Sequence, residues 1–324
     1  MAVIEVRGLR KTYRDGTQAV RGIDFDVEAG EIFGLLGPNG AGKTTTMRIL
    51  GTLQPATAGH VRVLGLDPAR DAEKVRRRIG FAMQEVGMDD LATAEEMLTL
   101  HARLYGIGRR DARRRAGELL EDFGLGEHAG RRVTRFSGGM QRRLDLAVSL
   151  IHEPEVLFLD EPSTGLDPTS RADLWRVLRG LREEKGITIL MSTHYMEEAD
   201  ALCDRIAIVA DGRIAATDTP ERLKRSLGAD TIRIRLSSAL DLAQAERVER
   251  VFEGAARVRG DVVTVKAKDG EGALLPVLQR AAAAGLPIVS TRVLRPTLDD
   301  VFVRYTGARL KEHEAGVEAD EVDA

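Results

Sequence analysis

Gly37-Pro38-Asn39-Gly40-Ala41-Gly42-Lys43-Thr44 fits the spacing G-x-x-x-x-G-K-[ST], and few eight-residue stretches restrict a fold more tightly. Glycines let successive backbone N–H groups turn into one concavity around phosphate oxygens, and the helix that follows adds its positive N-terminal end. Lys43 then reaches the β- and γ-phosphates, and Thr44 offers a hydroxyl to Mg²⁺. This chemistry needs a strand before the loop and a helix after it. Ile32-Phe33-Gly34-Leu35-Leu36 is almost wholly apolar, as a strand buried on both faces is, and Thr45 to Leu53 reads as a helix. Val156-Leu157-Phe158-Leu159 is a second such strand, ending in Asp160 and Glu161. An acid there lies on the ligand-binding edge of an open α/β sheet. Asp160 is placed to hold Mg²⁺ through water, and Glu161 to polarise the water that attacks the γ-phosphate.

Around these two strands the pattern alternates. Val3, Ile4 and Val6, and then Ile23, Phe25 and Val27 with Asp24 and Asp26 between them, have the period-two character of half-buried antiparallel strands. From Ala92 to Gly126 the texture turns helical, with Glu95 to Leu104 and Ala112 to Phe123 as candidate helices, so a helical subdomain is expected over about 85–135. Leu174, Val177, Leu178 and Leu181 form the buried stripe of an amphipathic helix. Ile187 to Leu190 and Ile206 to Val209 are further strands. The expectation is an α/β chain: a P-loop ATPase core with an antiparallel β subdomain and a helical subdomain over residues 1–220. Residues 221–310 then repeat a β-α-β-β-α-β order, that of a smaller, ferredoxin-like α+β domain: strand Thr231 to Leu236, helix Leu242 to Phe252, a hairpin over Ala256 to Lys268 turning at Gly260-Asp261, helix Ala273 to Ala284, strand Ile288 to Leu294. The tail over 311–324, six acids against one Lys, is expected to be disordered.

Composition narrows the function. The 324 residues suffice for about two domains, and a hydrophobic fraction of 43% supplies full cores. With 48 Lys+Arg against 51 Asp+Glu, net charge −3, no basic excess speaks for nucleic acid. Cys203 is the single cysteine, which excludes an internal disulfide or a cysteine-based zinc site and fits a reducing, cytoplasmic compartment. No apolar run reaches the 18 or so residues needed to span a bilayer, and Met1 to Arg7 lacks a signal-peptide pattern. A membrane role is therefore expected to come through a partner.

Phe136-Ser137-Gly138-Gly139-Met140-Gln141 says what kind of nucleotide engine this is. With it the chain resembles the ATP-binding subunits of ABC transporters: this stretch is similar to the family's signature motif, Ser163-Thr164-Gly165-Leu166-Asp167 to its D-loop, Gln84 in Phe81-Ala82-Met83-Gln84 to its Q-loop glutamine, and His194 in Met191-Ser192-Thr193-His194 to its switch histidine. Tyr13 falls where the family stacks an aromatic on adenine. Phe136 and Met140 depart from the family's usual Leu and Gln, but Ser137 and backbone N–H groups make the expected phosphate contacts, so function is expected to persist. The resemblance implies ATP held by Tyr13, by Gly37 to Thr44 with Thr45, and by Ser137, Gly138, Gly139 and Asp167. It implies Mg²⁺ at Thr44, Gln84 and Asp160, and catalysis by Glu161, His194, Gln84 and Lys43.

In the family the signature of one subunit closes over the nucleotide of another. One chain here carries one phosphate loop and one signature, so the resemblance implies two copies meeting head to tail around two ATP molecules, together with an integral membrane permease and a place on the cytoplasmic face of the membrane. From His101 to Arg135 nine Arg stand against five acids. A solvated helix face gives such an excess, and so does a surface meeting a membrane partner's loops or anionic headgroups. Ser137 to Ala147, Leu298-Asp299-Asp300-Val301-Phe302 with Thr306-Gly307, and the extra C-terminal domain resemble the daunorubicin/doxorubicin-resistance type of exporter ATPase, which implies drug or antibiotic efflux. Lipid or polysaccharide export uses similar subunits. A non-transport ABC ATPase is the other alternative, yet members acting in translation usually join two ATPase units and repair-type members insert a long coiled coil, whereas Lys43 and Ser137 lie 94 residues apart. A mainly regulatory role is disfavoured by the intact Glu161 and His194, and a GTPase by the lack of an Asn-Lys-x-Asp stretch.

Overall fold

The computed structural model describes residues 1–84, 87, 89 and 91–307. The expected disordered tail over 311–324 lies outside the described residues, as do 85, 86, 88 and 90 at the start of the expected helical subdomain. The backbone gathers into two compact units, one from Met1 to Pro220 and one from Glu221 onward.

In the first unit, β1 (Ala2–Thr12) and β2 (Gln18–Glu28) pair antiparallel, with Val6 opposite Phe25 and Leu9 opposite Ile23. Their alternating apolar residues all turn inward. β3 (Ile32–Leu36) is buried throughout and leads through the phosphate loop into α1 (Lys43–Leu50). That helix starts two residues earlier than the sequence suggests, because Gly42 at φ 100° turns the loop straight into it. It ends at Gly51, whose N–H bonds Met47 O at 2.8 Å, rather than running to Leu53. β4 (Ala58–Val63) returns to β1, completing a three-stranded sheet in the order β2-β1-β4.

After α2 (Ala72–Arg76) and β5 (Ile79–Ala82) come the helices α3 (Ala94–Leu104), begun by a reciprocal Thr93–Glu96 capping box, and α4 (Arg109–Asp122), which buries Ala112, Ala116 and Leu120. α5 (Gly138–Leu150), β6 (Val156–Asp160), α6 (Pro168–Glu183), β7 (Thr188–Thr193), α7 (Met196–Leu202), β8 (Arg205–Ala210) and β9 (Arg213–Asp218) complete the unit. The main sheet runs β5-β6-β7-β3-β8-β9, parallel except for the antiparallel edge strand β9. One apolar cluster, including Val6, Phe25, Phe33, Met47 and Phe158, joins both sheets around α1. The C-terminal ends of β3, β6 and β7 therefore share one edge, which is where ligands sit in open α/β sheets.

The second unit contains α8 (Pro220–Ser226), β10 (Asp230–Leu236), α9 (Leu242–Val251), β11 (Ala256–Arg259), β12 (Val262–Ala267), α10 (Gly270–Ala283), β13 (Ile288–Leu294) and α11 (Leu298–Thr306). Its sheet is antiparallel in the order β11-β12-β10-β13, and Gly260 at φ 58° makes the hairpin turn. That order is the one a ferredoxin-like β-α-β-β-α-β unit has. Ile232, Ile234, Val263, Val265, Phe252 and Ala281 form its core. α11 was not foreseen as a helix; a Thr297–Asp300 capping box starts it and Gly307 at φ 70° stops it.

Candidate functional site

The phosphate loop has the backbone its glycines suggest. Gly40 and Gly42 sit at φ 81° and 100°, and a Cβ on Gly42 would collide with the Ala19 carbonyl. Among the described residues, the amides of Asn39, Gly40, Gly42, Lys43, Thr44 and Thr45 find no protein acceptor, so the loop presents a row of free donors at the start of α1. That is a fit for anionic oxygens. Lys43 is 4% exposed, and its Nζ donates to Gly37 O (2.7 Å) and Pro38 O (3.0 Å) while standing 3.4 Å from Glu161 Oε1. Burial pulls its pKa down against the opposing pull of Glu161.

β6 delivers the two acids. Asp160 Oδ1 accepts from Thr44 Oγ1 at 3.0 Å and from Ser192 Oγ at 2.5 Å. No group of three or more His, Cys, Asp or Glu side chains able to hold a metal occurs among the described residues. One carboxylate beside one hydroxyl suits Mg²⁺, which takes few protein ligands and fills the rest of its octahedron with water and substrate phosphates. Glu161 has φ 48°, a left-handed value that a non-glycine residue adopts only under constraint, and its N–H is fixed by Ser192 O and Oγ, both at 3.1 Å. Its carboxylate accepts from Gln84 Nε2 (3.3 Å) and Thr164 Oγ1 (3.2 Å). His194 Nδ1 stands 3.3 Å from Oε2, at charge-contact distance but without hydrogen-bond alignment. Burial raises the Glu161 pKa, but His194, Lys43 and Thr164 together outweigh it and hold the carboxyl below its ordinary value.

A cleft of about 540 Å³ opens over this edge, walled by the loop Asn39 to Thr45, Gln84, Glu161 and Tyr13. Tyr13 is 37% exposed and its hydroxyl lies 3.1 Å from Thr45 Oγ1. Arg21, Asp211 and Gly212 also line the cleft and escaped the sequence reading. Asp211 and Gly212 are both at positive φ, and their Asp-Gly pair signals a hairpin, but nothing local shows that Gly212 N will bond Ala41 O at 3.2 Å. Ser192 was likewise missed.

Ser137, Gly138, Gly139 and Asp167 lie outside this cleft. Ser137 caps α5, accepting from Met140 N at 3.3 Å, and Asp167 caps α6, accepting from Ser170 N at 3.0 Å. The two helix starts touch each other: a Cβ on Gly139 would lie 2.7 Å from Ser170 Oγ. One chain thus brings together the loop, Gln84, Asp160, Glu161 and His194, and holds the signature residues elsewhere.

Residues 20–164 match the ABC transporter family, and residues 219–306 match the C-terminal domain of DrrA1-3-like ATP-binding proteins. The chain is 42% identical over 306 residues to the daunorubicin/doxorubicin resistance ATP-binding protein DrrA of Streptomyces peucetius, covering 94% of this chain and 92% of that protein. It is 34% identical over 313 residues to the linearmycin resistance ATP-binding protein LnrL of Bacillus subtilis (strain 168), covering 96% and 100%. Among solved structures it is similar to a dimeric ATP-binding cassette in a post-hydrolysis state bound to ADP and Pi, with TM-score 0.62 and 28% identity over 67% of this chain and 98% of that one.

Proposed function

The chain belongs to the ABC transporter family of ATP-binding subunits, and we propose that two copies clasp two ATP molecules head to tail to drive efflux of a drug-like hydrophobic compound through a separate membrane permease. The observation that carries this reading is the division of the site: the phosphate loop and Glu161 share one cleft, while Ser137 to Gly139 stand outside it. A second copy arranged head to tail would bring its signature helix to that cleft. An isologous pair then has two equivalent composite sites.

Within such a site the loop amides and Lys43 bind the phosphates, and Tyr13 stacks on the adenine. Thr44, Asp160 and Gln84 would hold Mg²⁺, which would supply positive charge beside the phosphates. Glu161, ionised at neutral pH, orients the attacking water and takes its proton. Gln84 and His194 flank that carboxylate and face the γ-phosphate, and Asp167 of the partner borders the closed site. Hydrolysis removes the phosphate that joins Lys43 of one copy to Ser137 and Gly139 of the other, so the pair opens. Efflux as the task follows from the resistance functions named for the relatives. No helix among the described residues is long and apolar enough to cross a membrane; in this reading a separate permease supplies the pathway and this subunit works at its cytoplasmic face. Residues 221–310 form an accessory domain of this subunit.

Two experiments test this. Ser137→Arg places a bulky cation where the partner's γ-phosphate must seat; ATP-dependent dimerisation in sedimentation should vanish while each monomer still binds ATP. Dimers persisting at wild-type strength would remove the signature from the interface. Trapping Glu161→Gln with Mg-ATP in native membranes should co-purify a multi-spanning apolar partner. Recovery of only soluble or ribosomal partners would end the transport reading.

A further inference from the structure

Arg142 lies on α5, the helix begun by Ser137, and is 4% exposed. Its guanidinium spends its donors on backbone carbonyls of three separate segments. Nη1 reaches Met83 O at 2.5 Å, beside Gln84; Nη2 reaches Asp160 O at 3.2 Å; Nε reaches Pro162 O at 2.9 Å. Asp145, one turn on, accepts from Nη1 at 3.2 Å and completes the shell. The carbonyls on both sides of Glu161 are therefore held by one side chain, and so is the peptide that enters Gln84. A planar fork spreads its donors over several ångströms and so reaches carbonyls of separate segments; the three donors of an ammonium radiate from a single atom. Burying a cation among carbonyls is costly, and burial also pushes Asp145 up to about 6 against the pull of Arg142. The return is positional: Glu161 keeps a left-handed backbone that persists only where its surroundings over-determine it.

We infer that Arg142 is a positioning residue which ties the signature helix to Gln84 and Glu161 of its own chain, so that seating Ser137 on the partner's nucleotide sets the hydrolytic geometry at the chain's own nucleotide. This rests on the head-to-tail pair proposed above. In that pair α5 touches one ATP while Met83-Gln84 and Asp160-Glu161-Pro162 serve the other. Arg142 is then the link by which each site reads whether its neighbour is filled, and the coupling appears as cooperativity in ATP.

Arg142→Lys keeps the charge beside Asp145 but loses the fork. Measured per folded molecule, kcat should fall tenfold or more with KM for ATP changed less than about threefold, and the Hill coefficient for ATP should drop from near 2 to near 1. A merely structural role would lower the folded fraction and leave both quantities in the survivors unchanged, which would overturn the inference. If the lysine variant does not fold, hydrogen exchange on the unsubstituted chain reads the same link: ATP should protect 138–145 and 158–164 together, and protection of the first segment alone would overturn it. Sedimentation of Glu161→Gln with Mg-ATP keeps the two readings apart. No dimer there would reject the head-to-tail pair; a dimer with unchanged cooperativity in Arg142→Lys would reject only the role of Arg142.

Discussion

Glu161→Gln is expected to slow ATP turnover by roughly 10²–10⁴-fold while ATP binding is retained, the range a removed general base costs. The amide has the same shape, so the groups around it largely stay in place: Gln84 Nε2 and Thr164 Oγ1 can still donate to its oxygen, and Ser192 still fixes the backbone N–H. What disappears is the basic lone pair that Lys43, His194 and Thr164 keep unprotonated. The phosphate-bridged pair should therefore accumulate, visible as a stable dimer in Mg-ATP that dissociates in ADP. The measurement is steady-state phosphate release beside nucleotide binding. Turnover at the unsubstituted rate would mean that another group activates the water.

Lys43→Ala is the second large effect. The ammonium lies behind the loop with two carbonyls as anchors, aimed at the edge where Glu161 and the free amides converge. Losing charge-assisted bonds to a phosphate, each about 1.5–3 kcal/mol, should weaken ATP binding about 10²-fold and bring turnover below detection. The fold should survive. Burial works against the Lys43 cation, so its removal relieves a desolvation cost, and Glu161 keeps Gln84, Thr164 and His194 around it. Calorimetric nucleotide binding together with thermal unfolding separates the two outcomes. Lost binding with unchanged unfolding temperature supports the assignment; undiminished turnover sinks it.

Much of the nucleotide site could be read from the chain because its parts are contiguous. Gly37 to Thr44 carries its geometry in its glycines, and strands buried on both faces, such as Val156 to Leu159, appear as unbroken apolar runs. What escaped is held by distant partners. β4, mostly exposed, and β9, with partial burial on alternate residues, carry little apolar pattern of their own and owe their extension to β1 and β8. Ser192 looks like any strand serine until it bonds Asp160 across the sheet, 32 residues away. Arg142 reads as one more helix arginine beside Arg143, and only the fold shows three carbonyls converging on it. Boundaries slipped where a single backbone angle decides them, as at Gly42.

The place of β3 in its sheet has a consequence for how the protein comes to be. β3 is the first strand of that sheet in sequence, yet it lies between β7 and β8, among the last to be made. Its contacts are thus highly non-local, a topology that folds slowly because loop-closure entropy is spent before the pairing is gained. The loop after β3 becomes a binding surface only when residues near 190 and 210 have docked on either side of it. ATP is then a ligand of the finished sheet and of no earlier species. By mass action it draws the last assembly step forward, adding about 2.7 kcal/mol to the native state at a hundred times its dissociation constant. The fuel of the cycle thus also serves as a chaperone for the domain that burns it.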